Sequence, residues 1–197
     1  MPSKSWVLSA ALLNAFPLVA GHGYVREVTL GTTSWPGYNP FFDSWWQPPP
    51  ERIIRKVPGI GPLLTYMARA PYDITKWNPG TEAVWFKVAH SGKSDDGKWA
   101  APEMFGNHNG TYTFRIPKNI LPGQYLIRHE WWVVRTLPDK YPGVQIYPVC
   151  VQIEVTGSGT AFPTSFVSFP GEYKPETPGM IFDVWNGKPY PLPGPEV

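Results

Sequence analysis

His22 stands where removal of a signal peptide would make it able to chelate a metal ion. The apolar run of residues 6–20 ends just before it, and Val19 and Gly21 occupy the positions that a signal peptidase reads. Cleavage after Gly21 would make His22 the first residue of the mature protein. Its free α-amino nitrogen and its imidazole would then form a chelate suited to a nitrogen-preferring metal such as copper. Cleavage after Ala20 stays open, and it would leave His22 only its ring and a backbone amide.

A second group of polar residues lies further along the chain. Gln145 and Tyr147 are two residues apart in a predicted strand, so their side chains project from one face. His129 lies in the preceding predicted strand, in the triplet RHE, and the three side chains together would make a hydrogen-bonded cluster of the kind that orients ligands in metal sites. The simpler interpretation of His129 is a partly buried, satisfied imidazole. His90 and His108 are interpreted as solvated loop residues.

Hydrolytic chemistry has no support in the sequence. A glycosidase needs two carboxylates placed across the sugar bond, and no spacing marks such a pair. The chain has no Gly-x-Ser-x-Gly elbow, no cysteine–histidine nucleophile pair and no phosphate loop. The candidate carboxylates are Asp43, Glu51, Glu103 and Glu130.

Residues 1–21 have the layout of a secretory signal peptide, with Lys4 in a polar start, an apolar middle and small residues at the cut. The apolar run is short of the ~20 residues that a membrane span needs, and Asn14 and Pro17 interrupt it. Residues 22–197 suffice for one domain with a core, and no linker leads to a carbohydrate-binding module. We therefore expect a secreted, extracellular protein, and the sequon at Asn109 is consistent with glycosylation on export.

Composition narrows the possible partners. The 17 Lys+Arg and 15 Asp+Glu give a net charge of +2, so nothing indicates nucleic acid or an anionic membrane. Trp, Tyr and Phe each occur ten times, and we expect most in the core and some in a platform for the apolar faces of sugar rings. The single cysteine, Cys150, is unusual in an exported protein. It is either a buried apolar residue or one that has lost its disulfide partner.

Alternating apolar and polar residues predict several strands separated by glycine and proline turns. The chain contains 25 Pro and 19 Gly and shows no amphipathic helix pattern, which favours an all-β protein built as an antiparallel β-sandwich with long loops. Pro148 predicts a bulge or a sheet edge in the last long strand. The predicted strands cover residues 82–89, 110–117, 123–134 and 144–157.

Several longer motifs follow one another along the chain: HGYV, PPPERIIRKVPG, GPLLTYMARAP, VWFKV, LPGQYLIRHE, YPGVQIYPVCVQIEVTGSG, FPGEYKPETPG and PLPGP. In this order they resemble the fungal lytic polysaccharide monooxygenases of auxiliary activity family nine, formerly glycoside hydrolase family sixty-one. The resemblance implies an immunoglobulin/fibronectin-like β-sandwich with one copper ion on a flat face that binds cellulose or a related β-glucan. It also implies oxidative cleavage of β-1,4-glucosidic bonds by a monomer, with an external electron donor and dioxygen or hydrogen peroxide.

The resemblance assigns roles to five residues. It implies that His22 chelates copper through its amine and ring, and that Tyr147 occupies the remote axial position of the metal. His129 and Gln145 are implied to hydrogen-bond the oxygen species beside the copper. Tyr173, in FPGEYK, is implied to be an aromatic residue of the substrate face.

The second copper histidine of the family is not at its expected place. In the family it lies in a His-x-Gly-Pro stretch before the TYMA segment, whereas here the residue two before Gly61 is Gly59. The simplest account is that a few dozen residues between two Gly-Pro sites are missing, and the resemblance places the disulfide partner of Cys150 among them. A second family disulfide is missing as well, since Ala70 stands where the family has a cysteine.

Three hypotheses follow from this departure. The chain is an enzyme with a weakened copper site, a non-catalytic secreted carbohydrate-binding or copper-binding β-sandwich, or a mis-spliced or mispredicted product whose true form contains the segment. With His22 alone, two of the three copper nitrogens remain, so we expect lower affinity and loss of the geometry that activates oxygen. Nothing in the loops of His90 or His108 suggests that either moves in. The loss also predicts unpaired strand edges.

Overall fold

The computed structural model describes residues 27–30, 32–36, 60–107, 110–134 and 143–197. Within these ranges the chain forms seven strands and one short helix. The elements are β1 (Glu27–Leu30), β2 (Thr33–Pro36), β3 (Leu63–Arg69), β4 (Ala83–Ser91), α1 (Ala100–Asn107), β5 (Gly123–Val134), β6 (Val144–Val155) and β7 (Val167–Ser168).

Five of the strands form one antiparallel sheet in the order β6-β5-β3-β4-β7, and β1 pairs with β2 in a separate hairpin. The two longest strands, β5 and β6, have 12 residues each and are rich in β-branched and aromatic residues, which fit a pleated surface. The predicted all-β class with antiparallel pairing is confirmed.

The predicted strands agree with the structure in three of four cases. β5 has the predicted bounds, and β4 and β6 differ from prediction by a few residues at their ends. Pro148 is exposed on β6, which is an edge strand among the described strands, and no bulge interrupts its pairing with β5. Residues 111–117 are not a strand. They alternate between exposed and half-buried as predicted, yet they make no ladder.

The sequence analysis did not predict the short strands β1, β2 and β7, and it also missed β3 and α1. β3 is buried on both faces, so its apolar residues do not alternate with polar ones. α1 is only eight residues long, with Pro102 and Glu103 in its first turn, where a missing N–H and a negative charge are tolerated or favoured. No helix in the described ranges is long and apolar enough to cross a membrane.

The two faces of the sheet carry separate cores. One face, which we call the α1 face, carries Leu63, Thr65, His129, Trp131 and Tyr147, because these residues are paired across β3, β5 and β6. Helix α1 and the extended residues 111–117 cover it. The opposite face, which we call the tail face, carries Leu64, Tyr66, Ala68, Glu130 and Trp132, and residues 167–192 cover it.

Two glycines allow close approach at the end of the sheet near α1. A side chain at Gly61 would collide with the backbone carbonyl of Trp132, and one at Gly143 would collide with the carbonyl of Met180. Gly61 therefore seats the start of β3 against β5. Gly143 brings the tail-face covering segment against the start of β6.

A buried carboxylate joins the sheet to the C-terminal segment. Glu130 is fully buried, and its Oε1 accepts hydrogen bonds from the Arg128 guanidinium at 2.7 and 2.8 Å. Its Oε2 accepts from the Trp132 indole N–H at 2.8 Å and from the Tyr173 hydroxyl at 2.6 Å. Tyr173 is also 3.1 Å from the Tyr66 hydroxyl. The charge is thus paired and hydrogen-bonded, as a buried carboxylate requires.

Candidate functional site

Gln145 and Tyr147 form a direct hydrogen bond on the α1 face near the start of β6. The Tyr147 hydroxyl donates to Gln145 Oε1 at 2.8 Å, as expected for residues two apart on one face of a strand. Tyr147 is buried and Gln145 is half-buried. The predicted meeting of these two side chains is therefore confirmed.

The direction of this hydrogen bond fixes what each group can still offer. Gln145 Oε1 is an acceptor engaged by Tyr147, so the amide NH₂ is the donating end that Gln145 presents elsewhere. The Tyr147 oxygen uses its proton in the bond and keeps its lone pairs. The pair can thus donate a hydrogen bond from nitrogen and offer an oxygen ligand from the phenol.

The Tyr147 ring is held by an apolar cluster beneath α1. Trp131 lies directly opposite Tyr147 in the β5–β6 ladder, with ring centroids 5.4 Å apart and planes inclined by 34°. Leu63 and Val133 belong to the same cluster, and so do Ala101 and Met104 of α1. Helix α1, which the sequence analysis did not predict, thus helps to fix the position of the Tyr147 phenol.

His129 has different partners on the same face. Thr65 lies directly opposite it on β3, and Thr65 Oγ1 and His129 Nδ1 are 2.9 Å apart. The Tyr112 ring stacks on the imidazole at 5.0 Å, with an angle of 23° between the planes. Burial lowers the pKa of His129 to about 4, so its imidazole is neutral at pH 7. This environment matches the simpler interpretation, a satisfied imidazole.

The register separates His129 from Gln145. Gln145 is opposite Val133, four residues beyond His129 along β5, which corresponds to roughly 13 Å at the rise of a strand. Tyr147 is nearer to His129 than Gln145 is, because Tyr147 lies opposite Trp131, two residues beyond His129 on β5. The expectation of one cluster of all three side chains is therefore corrected: the pair Gln145–Tyr147 forms, and His129 joins Thr65 and Tyr112 instead.

Tyr173 is half-buried, and its hydroxyl is directed into the interior. Its hydroxyl donates to the buried Glu130, and its ring meets Trp132 edge-on at 4.7 Å and 89°. Burial and the neighbouring Glu130 charge raise the pKa of Tyr173 above its ordinary value of 10.0. This differs from the surface position predicted for an aromatic of the substrate face.

The remaining predicted residues divide between described and undescribed parts. His90 is opposite Leu64 and so lies on the tail face, and its loop-residue interpretation is wrong because it belongs to β4. Cys150 is exposed with a free thiol, which corrects the buried alternative. The signal peptide at residues 1–21, His22, His108 and Asn109 lie outside the described residues.

The sequence analysis did not single out the most exposed aromatic side chain of the described chain, Trp185. Its exposed fraction is 74%. Its backbone N–H donates to Asp183 Oδ1 at 2.9 Å, in a turn of the segment that contacts Gly143 through Met180 and Ile181. The signal in the sequence was a tryptophan within the polar turn residues of DVWNGK, which a core residue seldom occupies.

An open cleft of about 290 Å³ borders the cluster under α1. Leu63 and Met104 belong both to the lining of the cleft and to the apolar cluster, and Tyr112 forms part of the cleft wall. Its lining includes the polar residues Ser91, Ser94 and Thr111. The cleft therefore opens at the same end of the sheet as Gln145 and Tyr147.

Comparison with known proteins identifies the family of this arrangement. The sequence model of Auxiliary Activity family 9 (formerly GH61) matches residues 22–191. The chain belongs to this family. AA9 proteins are lytic polysaccharide monooxygenases, so the chain is related to oxidoreductases that cleave polysaccharides oxidatively.

Individual relatives agree with this assignment. An AA9 lytic polysaccharide monooxygenase B of Malbranchea cinnamomea is 38% identical, with 98% of each chain covered, and an AA9 monooxygenase A of Gloeophyllum trabeum is 38% identical over 91% of this chain and 72% of its own. A glycoside hydrolase family 61 structure, Cel61B from Hypocrea jecorina, matches with a TM-score of 0.65 and 31% identity, over 71% of this chain and 60% of that one. AA9 structures are β-sandwiches, which agrees with the predicted fold.

This chain is shorter than its alignment with the Malbranchea cinnamomea protein. It extends over 244 aligned positions, whereas this chain has 197 residues, so at least 47 positions of the relative have no counterpart here. Because the match covers 98% of both chains, most of these positions are internal. An AA9 relative thus contains residues that this chain lacks.

The described residues do not by themselves fit the copper centre that the family implies. They offer the Tyr147 oxygen and the Gln145 amide, but the described ranges contain no group of three His, Cys, Asp or Glu side chains placed to hold a metal. Nitrogen ligands are what a copper site of this type needs. In this part of the chain the only histidines are His90 and His129, which lie on opposite faces of the sheet.

Proposed function

We propose that this chain is a secreted AA9 protein that acts on cellulose or a related β-1,4-glucan, and that copper bound at His22 is its cofactor. The observation that carries the proposal is the family match, which begins at His22 and includes Gln145 and Tyr147. That starting point supports cleavage of the signal peptide after Gly21. Dioxygen or hydrogen peroxide and an external electron donor are the proposed co-reactants, and the protein is proposed to be a monomer.

The Gln145–Tyr147 pair supports a role beside the metal. Tyr147 is proposed as an oxygen ligand that would help to hold the copper, and the NH₂ of Gln145 as a hydrogen-bond donor beside it. The role that the resemblance gives His129 stays a prediction, and its bond to Thr65 does not favour it. The described donors alone do not complete a copper site.

The exposed Trp185 supports carbohydrate binding. Its ring is the largest exposed apolar surface of a single side chain in the described ranges, and it lies in the segment that Gly143 seats against the start of β6. The apolar face of a glucose ring packs well on an exposed aromatic face. We propose Trp185, rather than Tyr173, as the residue that stacks on the substrate.

The oxidative proposal has a direct test. Mature protein starting at His22 is incubated with copper, ascorbate and cellulose, and the products are separated by mass. Oxidised oligosaccharides support the proposal, and their clean absence, with the Malbranchea cinnamomea relative active in parallel, rejects oxidation by this chain. The same assay without ascorbate controls for hydrolysis by contaminants.

A second candidate function is non-catalytic binding of carbohydrate or copper. The observation that favours it is the residue two before Gly61, which is Gly59 where the family has its second copper histidine. A cellulose pull-down combined with copper titration separates the candidates. Binding without oxidised product supports the second function. Unchanged copper and cellulose binding in His22→Ala would rule out a role for the terminal chelate.

The missing length has its own test. The 47 or more unmatched positions support the hypothesis that the natural protein contains an additional segment, which we propose lies between residues 58 and 63. Sequencing the transcript across this junction distinguishes a shortened protein from a mis-spliced or mispredicted product. Recovery of a segment containing His-x-Gly-Pro and a cysteine partner for Cys150 would restore the full ligand set. Glycosylation of Asn109 is proposed with secretion and is checked by mass spectrometry of the exported protein.

A further inference from the structure

We infer that the open cleft beside α1 is a binding site for a small polyhydroxylated carboxylate, the chemical class of the aldonic and uronic sugar acids. The end of β4, the turn after it, the start of α1 and residues 111–112 surround this cleft, together with Leu63 at the start of β3. Gln145, Tyr147 and Trp185, to which the proposed function assigns roles, are not among the residues that line it. The site is therefore separate from the proposed cellulose contact and does not depend on the oxidative function.

The size of the cleft favours a ligand as large as a hexose. Its volume is about 290 Å³, close to the lower limit of the ~300–1,000 Å³ that is usual for small-molecule sites. One water occupies ~30 Å³ in the liquid, so a single inorganic anion would leave most of the cleft to solvent. A six-carbon sugar acid would fill a larger part of it.

Two polar residues of the lining are engaged within the turn after β4. The Ser94 hydroxyl accepts a hydrogen bond from the Lys98 N–H at 3.1 Å and donates to the Lys98 carbonyl at 2.9 Å. The Lys98 ammonium is 2.8 Å from the Asp96 carboxylate, and the charge of Glu103 also acts on it. These groups hold the turn together, so the contacts with a ligand must come from the rest of the lining.

Lys93 is the cation that the cleft keeps for a ligand. Its Nζ donates to the Lys188 carbonyl at 3.2 Å and lies 5.9 Å from the centroid of the Trp99 ring. It forms no ion pair with a carboxylate in the described ranges. An ammonium group has three N–H donors, so two remain after the bond to Lys188. A ligand carboxylate would accept charge-assisted hydrogen bonds from them.

Three further residues of the lining carry hydroxyl groups without a hydrogen-bond partner among the described residues: Ser91, Thr111 and Tyr112. Ser91 lies opposite Leu63 in the β3–β4 ladder, and the Tyr112 ring is stacked on His129, so both positions are fixed by the sheet. A hydroxyl group can both donate and accept a hydrogen bond, and the hydroxyls of a sugar have the same two capacities. The lining therefore suits a polyhydroxylated ligand.

Glu103 also lines the cleft, and its negative charge distinguishes between two kinds of anion. An ionised carboxylate can only accept hydrogen bonds. It repels an anion such as sulfate, which offers no donor, but it accepts from the hydroxyl groups of a ligand. A sugar acid combines a carboxylate for Lys93 with hydroxyls for Glu103, Ser91 and Thr111, whereas an inorganic anion supplies only the first.

The test compares ligands that differ in the carboxylate. Gluconate and its neutral counterpart sorbitol are titrated into the full chain by calorimetry at low and at high salt. We expect gluconate to bind about fivefold more tightly, the upper range for one solvent-accessible ion pair. Salt should weaken the binding of gluconate and not that of sorbitol. Glucuronate, titrated against glucose, gives the same comparison for a ring-closed acid, and the tighter of the two acids identifies the source of the carboxylate.

Two variants separate the charge contact from the hydroxyl contact. Lys93→Gln should lower the affinity for gluconate to that for sorbitol, and its amide can still donate to the Lys188 carbonyl, so the fold is kept. Thr111→Val should weaken both ligands equally. Lys76→Gln is the matched control, because Lys76 is a 78% exposed lysine in the loop after β3, at the other end of the sheet, and its loss should change neither affinity.

Methyl resonances locate the bound ligand. Gluconate should shift the signals of Leu63 and Met104, which line the cleft, and leave that of Ile153 near the opposite end of the sheet unchanged. Equal affinities for gluconate and sorbitol, no binding of either, an unaltered gluconate affinity in Lys93→Gln, or shifts at Ile153 alone would each overturn the assignment. Because none of these measurements uses copper or cellulose, failure of the oxidative function would not change their outcome.

Discussion

Trp131 and Tyr147 face each other across the β5–β6 ladder, with ring centroids 5.4 Å apart under helix α1. This pairing couples the packing of the domain to the position of a candidate ligand oxygen. Both side chains are buried, and the Tyr147 hydroxyl is fixed in turn by its bond to Gln145. Removing the indole should therefore have a structural cost that is separate from any chemistry at the phenol.

Trp131→Ala is expected to lower the free energy of unfolding by ~3–5 kcal/mol, because it leaves a cavity in a cluster shared by two strands and a helix. Denaturant unfolding measures the change. Trp185→Ala is the matched control, since that indole is 74% exposed and its loss should alter stability by no more than ~0.5 kcal/mol. Equal losses in the two variants would contradict the buried position of Trp131.

Tyr173→Phe distinguishes an interior residue from a substrate-face residue. The change removes one hydrogen bond to the buried Glu130 carboxylate, so we expect a loss of ~1.5–3 kcal/mol in unfolding free energy. Cellulose binding, measured in the pull-down at a temperature where the variant is folded, should not change. Weaker cellulose binding with unaltered stability would instead return Tyr173 to the substrate face.

His129 gives the protein an expected sensitivity to acid. Its pKa is lowered by burial from the ordinary 6.5 to about 4, so between these values the unfolded chain binds a proton that the folded protein does not. Its contribution to stability is present above pH 6.5 and is lost as the pH falls toward 4, amounting to at most about 3 kcal/mol. Urea unfolding at several pH values measures this loss.

His129→Phe is the control for that titration. It retains an aromatic ring against Tyr112 but has no titrating nitrogen, so its stability should fall less than that of the wild type between pH 6.5 and 4. The variant will be less stable at all pH values, because the Thr65 hydroxyl loses its partner. Only the difference in slope tests the prediction, and identical slopes would refute it.

Trp185→Ala is expected to weaken cellulose binding about fivefold, the equivalent of the ~1 kcal/mol that an aromatic stacking contact contributes. Tyr72→Ala is the matched control. Tyr72 is 57% exposed, but it follows the opposite end of β3 from Leu63, far from Gln145 and Tyr147 along the sheet. Adsorption isotherms on microcrystalline cellulose should separate the two variants, and equal weakening would indicate non-specific adsorption.

Local pattern was sufficient to predict part of this fold. The alternation in GQYLIRHEWWVV fixed both ends of β5, and the spacing of Gln145 and Tyr147 predicted their common face. β3 was not predicted because a strand buried on both faces shows no alternation of apolar and polar residues. Residues 111–117 do alternate, but they pair with none of the described strands.

The candidate site was harder to predict because it depends on register. Sequence spacing cannot tell which residue of β5 lies opposite Gln145, and the structure selects Val133, which moves His129 away from the pair. Tyr173 was misplaced for a similar reason. Its hydroxyl finds Glu130 through a long-range contact between the sheet and the C-terminal segment, and no local motif encodes that contact.

Three residues donate hydrogen bonds to Glu130: Arg128 and Trp132 are its near neighbours on β5, whereas Tyr173 follows 43 residues later. Residue 173 must therefore be synthesised before the Glu130 carboxylate can accept its hydrogen bond from the Tyr173 hydroxyl. A premature stop between the end of β6 and codon 173 would yield a polypeptide whose Glu130 carboxylate lacks the Tyr173 hydroxyl. Given the secretion proposed above, such a product should be retained and degraded in the cell, and immunoblots of culture medium and cell extract would reveal it.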